Sequence, residues 1–482
     1  MTTFSIQSFG CRVNQAEAFE WAEALQALGL ELEKEYLRSD LVIVNTCALT
    51  SGAERDVRKF LRRLSRLNPQ ARLVVTGCAV PLFKAEMEKN AQIELIISNE
   101  EKARLLSRLL ERKLVGPARE LKEEYNRQEE FPEERTREDL IFKKESIAGE
   151  FIKERKTVKE IRNGEAEKGL FQGKKIIEEE LESQVRPFRS RALIKVQDGC
   201  SHACTFCIIP QVRGPARSLP ASEILHRMEH LIELGYREIV LAGIHLTSYG
   251  REDGSKTSLL DLLKQATQLQ NLGRIRLSSL DPRSLDETLI DFIAGHEKIC
   301  QHFHLSLQHV SPRLLRLMGR KGGPEDFQRI LNRLRQKSPF ASLGADIIVG
   351  FPGETDEDFL FLENFIINSP LTYLHVFPYS PRPGTPAARW PQLEARIKKE
   401  RAERLRLLGR RKNYEFRQSL LGLVFEGIVI GEKKPGESEI LTHNYLKVRV
   451  EGRLKEGEAV AVKIEVVEPG ITRGSIVSSW AR

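Results

Sequence analysis

The sequence predicts a multidomain α/β protein. It has an N-terminal α/β domain with a parallel sheet, a central partial (βα) barrel of the TIM type, and a small C-terminal antiparallel β-barrel. Three observations carry this reading. Two stretches, 1–114 and 191–416, alternate short apolar strands with helix-period segments. Between them, residues 115–190 hold 17 Lys/Arg and 19 Asp/Glu with few apolar side chains. The tail, 417–482, is rich in Val and Ile punctuated by Gly and Asn-Tyr turn signals.

In the first stretch, strands are expected at 2–8, 41–45, 72–76 and 93–98, with helices at 15–28 and 53–67 between them. Cys11, Cys47 and Cys78 each fall just beyond a strand segment. Strand C-terminal ends form the ligand crevice of open α/β sheets, so these thiols are placed to converge. They are 36 and 31 residues apart and form no local motif, so each taken alone reads as a buried thiol rather than a ligand; the shared position after successive strands brings the two readings level. The charged segment 115–190 carries no chemical motif. It reads as a solvated linker, helical in places or disordered, that marks a domain boundary.

In the second stretch, six strands are expected at 192–196, 238–242, 274–278, 302–306, 344–348 and 373–377, with helices such as 221–234 and 324–336 between them. Six βα units in a row suggest the barrel, whose chemistry would sit at the strand C-terminal ends. Residues 389–417 form a basic helix candidate with 11 Lys/Arg against 4 acids. It reads either as a solvated face or as a phosphate-contacting element. In the tail, strands are expected at 424–430, 447–450 and 460–467, and over 418–482 nine charges of each sign cancel.

Composition removes other classes. The 482 residues carry 76 Lys+Arg and 68 Asp+Glu, for a net charge of +8, with 40% hydrophobic and 30% charged residues. No apolar run reaches the roughly 18–20 residues of a membrane helix, and no membrane association is expected. The first ten residues lack a basic n-region and an apolar h-region, so a cytoplasmic, reducing location is expected. Seven cysteines in so long a chain are not a disulfide scaffold. Their spacing must assign them.

Cys200-Ser-His-Ala-Cys204-Thr-Phe-Cys207 packs three thiols into eight residues, directly after the first barrel strand. Closely spaced cysteines hold iron–sulfur clusters, usually by four thiolates. Three would leave one iron without a protein ligand. Zinc would want a fourth Cys or His at matching spacing, and His202 inside the loop would strain a tetrahedral site. The motif therefore reads as a three-cysteine iron–sulfur site. Cys300, His302 and His304 offer a second ligand-type cluster, with both imidazoles on one strand face, but barrel strands routinely bury such residues.

The cysteine loop, with Phe206 before its last cysteine, resembles that of radical SAM enzymes, whose open iron is coordinated by S-adenosylmethionine (SAM). Phe9-Gly-Cys11-Arg-Val-Asn14, Val44-Asn-Thr-Cys47-Ala and Thr76-Gly-Cys78-Ala are similar to the N-terminal domain of the methylthiotransferase family. The likeness extends through Gln197-Asp-Gly-Cys200, Arg213-Gly214, Leu241 to Gly250, Leu277-Ser-Ser-Leu-Asp-Pro282, Gly344 to Thr355 and His375 to Pro386. It covers nearly all of the chain except 115–190. Gly-Cys-Arg-Val-Asn, Gly-Ile-His and Pro-Gly-Thr-Pro resemble the branch acting on threonylcarbamoyladenosine at tRNA position 37.

The resemblance implies two [4Fe–4S] clusters and SAM. One cluster is held by Cys200, Cys204 and Cys207, which act in catalysis, and the other by Cys11, Cys47 and Cys78. Phe206, Gly243, Ser278, Gln308 and Asp346 would bound the SAM pocket. The tail would be a TRAM RNA-binding domain, the partner the tRNA anticodon stem-loop, and the reductant a separate electron donor of unknown identity. Competing functions are methylthiolation of isopentenyladenosine-37 or of a ribosomal-protein aspartate, and a non-catalytic iron–sulfur redox sensor that binds RNA. One departure stands out. The family commonly shows Gln-Ser-Gly-Ser where this chain has Gln308-His-Val-Ser311, which should restrict the backbone and place a ring near the cofactor.

Overall fold

A computed structural model describes residues 2–115, 189–251 and 257–479. All but the ends of the charged segment 115–190 lies outside the described residues.

The N-terminal elements are β1 (Thr3–Ser8), α1 (Arg12–Ala27), β2 (Glu31–Leu32), β3 (Leu41–Thr46), α2 (Ser51–Leu67), β4 (Arg72–Gly77), α3 (Val80–Met87), β5 (Ile93–Ile97) and α4 (Leu105–Glu111). The strands pair in parallel in the order β2-β1-β3-β4-β5. Every residue of β3 is buried, as expected of a central parallel strand covered on both faces. The register pairs Ser8 with Asn45 and Thr46 with Gly77, so β1, β3 and β4 end together along one edge. Helix α1 is shared. Its Val13, Ala16 and Phe19 join the core of the central strands, while Trp21, Ala22 and Leu25 pack on the N-terminal sheet.

The central elements are β6 (Ala192–Asp198), α5 (Ile209–Arg213), β7 (Arg217–Ser218), α6 (Ala221–Glu233), β8 (Glu238–Gly243), α7 (Leu259–Ala266), β9 (Arg274–Leu277) and α8 (Glu287–Gly295). There follow β10 (His302–Gln308), α9 (Pro312–Leu317), α10 (Pro324–Lys337), β11 (Ser342–Val349), α11 (Asp356–Asn368), β12 (Tyr373–Pro378) and α12 (Ala395–Gln418). All six expected strands form. β6, β8 and β9 pair in parallel, as do β10, β11 and β12. The parallel bridges Ile275–Ile299 and Leu280–Leu305 join the two groups into one run of six strands.

At the N-terminal ends of these strands lies a buried ion cluster that the sequence reading did not anticipate. Glu238 receives Arg274 (2.6 Å), Arg276 (2.7 Å) and Arg191 (3.1 Å). Arg274 and Arg276 also donate to the carbonyls of Glu426, Leu441, Thr442 and His443 at 3.0–3.2 Å. Burial opposes ionisation of Glu238, but the three guanidiniums hold its carboxyl well below the usual range.

Those carbonyls belong to the C-terminal strands β13 (Val424–Lys434), β14 (Glu437–Thr442), β15 (Lys447–Glu451), β16 (Ala459–Glu468) and β17 (Ile471–Ser479) and the loop after β14. They close into a barrel in the order β13-β14-β15-β17-β16. Two of the five strands, β14 and β17, escape a reading based on apolar runs because Glu, Ser and Thr in β14, and Thr, Arg, Gly and Ser in β17, interrupt their apolar residues. β13 and β16 close the ring in antiparallel fashion, but β15 pairs with β17 in parallel, which corrects the purely antiparallel expectation.

The basic helix is also corrected. It starts at Ala395, after Pro391, and lays Ala402, Leu405 and Leu408 on the central core. Much of its charge is turned inward. Arg401 pairs with Asp356 (2.6 Å), Arg404 with Glu363 (2.5 Å), and Arg406 with the Val376 carbonyl (3.0 Å). Lys412 reaches the Ser369 carbonyl (3.0 Å) and Arg417 the Ile471 carbonyl (2.7 Å). The clustered charge is thus in large part a brace between helix and barrels rather than an open phosphate-binding face.

Candidate active site: two cysteine trios

The shared strand edge brings Cys11, Cys47 and Cys78 together, as their places after β1, β3 and β4 suggested. Cys11 sits at the N-cap of α1, and Cys47 and Cys78 are 3% and 4% exposed. Gly10 has φ +93°, and a Cβ there would lie 2.5 Å from the Cys47 sulfur. Gly77 has φ +112°, and its Cβ would meet the Thr46 backbone at 2.4 Å. Only glycine permits this approach of the loops. Burial, reinforced by neighbouring Cys11, pushes the Cys47 thiol up to about 12. Burial raises Cys11 as well. Binding of a cationic group would draw Cys11 and Cys47 to their thiolate forms.

Beneath the trio runs a buried charge network. Arg213, at the end of α5, donates to Cys78 Sγ (3.1 Å), Glu17 (3.0 Å), Asp198 (2.7 Å) and the Asn14 side chain. Glu17 also receives Lys102 (2.6 Å) and Lys195 (3.4 Å). One arginine thus ties the first trio to Asp198, two residues before the second. The Arg213→Met variant keeps the bulk and removes the cation, leaving two buried carboxylates to Lys102 and Lys195. Breaking such a pairing should cost about 3–5 kcal/mol. A lower urea midpoint of the metal-free chain is the expected result, and an unchanged midpoint would deny Arg213 a bracing role.

The second trio lies on the loop after β6. Gly199 has φ +68°, and a Cβ there would strike the Pro215 carbonyl oxygen at 1.9 Å. The loop is fixed by main-chain bonds. Cys200 N donates to Gly214 O (3.1 Å), Cys207 N to Cys204 O (3.1 Å), Thr205 N to Met318 O (3.1 Å) and Ala387 N to Thr205 O (3.0 Å). Cys200, Cys204 and Cys207 keep their sulfurs for other work. Cys207 is pushed up to about 12, by burial first and by Cys204 and Cys200 after it. Cys78, Cys200 and Cys207 all pack against one core, with Ile208, Ile209, Val212, Val42 and Val44.

Neither trio suits a single ion. Among the described residues, only His304, Asp346 and His375 bring three ligand atoms within 4.8 Å of one another. Zinc–sulfur bonds of about 2.3 Å would hold tetrahedral sulfurs less than 4 Å apart. His202 turns away from this role, its ring edge-on to His245 at 4.6 Å. Burial and the Arg283 charge lower its pKa to about 4 and keep it neutral. Wider-set thiols on glycine-hinged loops fit a polynuclear cluster.

Of the residues expected around SAM, Phe206 packs beside Met318, Ile348, Phe351 and Tyr379 under the loop. Gly243 N donates to Ser278 Oγ (3.2 Å), which joins the ends of β8 and β9. Gln308 ends β10 in the left-handed region (φ +68°), a conformation that costs a non-glycine residue about 1–2 kcal/mol. Asp346 is drawn elsewhere, to His304 (2.9 Å) and His375 (3.4 Å). Burial opposes its charge, but the two imidazoles hold its carboxyl below the usual range.

The backbone expected to suffer at His309-Val310 does not. Val310 is fully buried and keeps a negative φ; the positive φ falls on Gln308 instead. The His309 ring is 0% exposed, 3.8 Å from Glu354, so it fills the core behind the loop. Cys300 lies near Glu238 (3.9 Å), apart from His302 and His304, which share Tyr373. Two supports went unread in the sequence. Gln197 holds the loop by donating to Asp198 O and Gly199 O and accepting from His245 N. Asp281 gathers Arg283 (2.6 Å), Arg320 (3.3 Å) and His245 (3.4 Å). Its place in Leu277-Ser-Ser-Leu-Asp-Pro282 was the available signal.

The radical SAM superfamily matches residues 194–366, and the uncharacterized protein family UPF0004 matches residues 3–98. The threonylcarbamoyladenosine tRNA methylthiotransferase MtaB of Aquifex aeolicus (strain VF5) is 34% identical over 461 residues, 95% of this chain and 99% of its own. That of Rickettsia prowazekii (strain Madrid E) is 32% identical, over 98% of this chain and 97% of its own. A tRNA-2-methylthio-N(6)-dimethylallyladenosine synthase of Desulforamulus reducens (strain ATCC BAA-1160 / DSM 100696 / MI-1) is 30% identical, over 98% and 95%. With such identity across nearly its whole length, and Cys78 of the first trio packed on one core with Cys200 and Cys207 of the second, the chain belongs to the methylthiotransferase family of radical SAM enzymes.

Proposed function

We propose that this protein is a transferase converting N6-threonylcarbamoyladenosine at position 37 of tRNA, in the anticodon stem-loop, to its 2-methylthio derivative. The observation that carries this is the 34% identity shared with the Aquifex aeolicus MtaB across 99% of that protein. C2 of adenine bears an unactivated hydrogen, and no side-chain acid or base offers a polar route to replacing it with sulfur. Cofactors therefore supply the chemistry.

Cys200, Cys204 and Cys207 would hold one [4Fe–4S] cluster, with SAM at its open iron, and Cys11, Cys47 and Cys78 a second. When bound, these groups supply the electron, the deoxyadenosyl radical and the sulfur. The chain itself orients them. Thr205 and Gly199 fix the cysteine loop, Arg213 braces the auxiliary trio, and Arg283 sets positive charge beside Cys200 and Cys204. Phe206, Gly243, Ser278 and Gln308 would border SAM. The C-terminal barrel, residues 417–482, would serve as a TRAM domain holding tRNA phosphates, so affinity should fall with salt. Residues 1–114 and 191–416 would form the other two domains, joined by 115–190. The enzyme would work in the cytoplasm with a separate electron donor.

The dimethylallyladenosine synthase at 30% identity favours isopentenyladenosine-37 as the second substrate reading. Mass spectrometry of tRNA nucleosides from cells with and without the gene decides. The expected result is loss of 2-methylthio-threonylcarbamoyladenosine with accumulation of its unthiolated parent. Unchanged levels of that nucleoside would overturn the assignment, and loss of the isopentenyl product instead would move it to the second reading.

A further inference from the structure

The lumen of the central strands is layered and polar. Its lowest layer is the Glu238–arginine cluster. Above it, Tyr445 from the C-terminal barrel stacks on His302 (centroids 3.9 Å apart), with Arg12 and Arg276 over the outer face of Tyr445. His302 Nε2 meets the Tyr373 hydroxyl at 2.7 Å, and the same hydroxyl meets His304 Nδ1 at 2.9 Å. The third layer is His304, Asp346 and His375, from the adjacent strands β10, β11 and β12. It lies below the strand ends that carry Ser278 and Gln308. We propose that His304 Nε2, Asp346 and His375 Nδ1 form a binding site for one divalent transition-metal ion of the zinc or ferrous class, built without cysteine.

Donor geometry supports this first. Bonds of about 2.0–2.1 Å to a tetrahedral ion place the donor atoms about 3.3–3.4 Å apart. His304 Nε2 and His375 Nδ1 lie 2.9 Å and 3.4 Å from Asp346 Oδ1, and all three ligand atoms fall within 4.8 Å. Strand register enforces the set. Asp346 pairs with His375, and His304 with Gly344, so all three side chains rise on the lumen face.

The second support is independent. His304 is 6% exposed, and its Nε2 has no hydrogen-bond partner although the carboxylate is only 2.9 Å away. A structural His–Asp pair would align its N–H on the oxygen. Here the ring nitrogen and the carboxylate lie side by side, as two donors do around a common point. The third support is the outer shell. Tyr373 fixes His304 through Nδ1, and His302 fixes Tyr373, the arrangement that orients metal-bound imidazoles. Two imidazoles and one carboxylate supply two nitrogen donors and one oxygen donor. Mixed nitrogen and oxygen donors suit zinc or ferrous iron. His375 is 54% exposed in its side chain, which leaves an entry path and room for a further ligand.

The test uses the full chain carrying both iron–sulfur clusters, dialysed anaerobically against zinc chloride, with zinc and iron counted in the same sample. About one zinc per chain should be retained without loss of iron, and its X-ray absorption should show nitrogen and oxygen ligation without sulfur at about 2.3 Å. His375→Ala should weaken zinc binding at least about tenfold, and Tyr373→Phe about tenfold, with iron content unchanged. His375 is half exposed, so its loss leaves the core intact. No saturable zinc, zinc uptake matched by iron loss, sulfur ligation, or undiminished binding by His375→Ala would each overturn the proposal.

Discussion

Cys204→Ala is expected to abolish 5′-deoxyadenosine release while leaving the fold in place. The loop that carries Cys204 is positioned by main-chain bonds, not by its sulfurs. Thr205 N to Met318 O, Ala387 N to Thr205 O and the Thr205 hydroxyl to Leu317 O (2.8 Å) all survive the substitution. Cys204 is only partly buried, so removing one sulfur opens no large cavity. What would be lost is the third ligand of the proposed set, which has no fourth. Two thiolates do not hold a cubane, so iron content should fall by roughly half. The urea midpoint of the metal-free chain should match wild type. Anaerobic incubation with SAM and dithionite, followed by chromatography, measures the product. Deoxyadenosine at the wild-type rate would remove this loop from the chemistry.

Much of this site was legible in the sequence because its signals are local. A Cys-x3-Cys-x2-Cys run needs no partner strand to be recognised, and the six central strands announce themselves as short apolar runs. Cys11, Cys47 and Cys78 were half legible, since position after successive strands suggested convergence but not the order β1-β3-β4 that makes it close. What stayed hidden depends on register between distant strands. Glu238, Arg274 and Arg276 carry no local signal of pairing; the register of β8 with β9 brings them together. His304 was noticed beside Cys300 and His302, its neighbours in sequence. Its partners in space are Asp346 and His375, more than forty residues away. The basic helix misled for the same reason, because its acidic and carbonyl partners lie on elements far along the chain.

Cys47→Ala is expected to give the opposite split: SAM cleavage retained within about twofold, methylthiolated tRNA lost by at least about a hundredfold. Cys47 is 3% exposed and wedged against Gly10, where even a methyl group would lie 2.5 Å from its sulfur. Alanine fits this space, so the strand edge should keep its shape. The neighbours that remain, Cys11 and Cys78, cannot complete the trio, and Arg213 is left with a single sulfur contact at Cys78. Yet nothing in the loop of Cys200, Cys204 and Cys207 hydrogen-bonds to Cys47. Cys78 shares a core with Cys200 and Cys207, and Arg213 links Cys78 to Asp198, but the two trios have no cysteine in common. Both cysteine variants should therefore lose about half the iron, and only the product distribution tells them apart. That contrast is what assigns each trio its work. If Cys47→Ala also stopped deoxyadenosine release, the trios would act as one unit through Arg213. If thiolation continued, Cys47 would be a buried thiol, and the convergence of β1, β3 and β4 would be only a feature of packing.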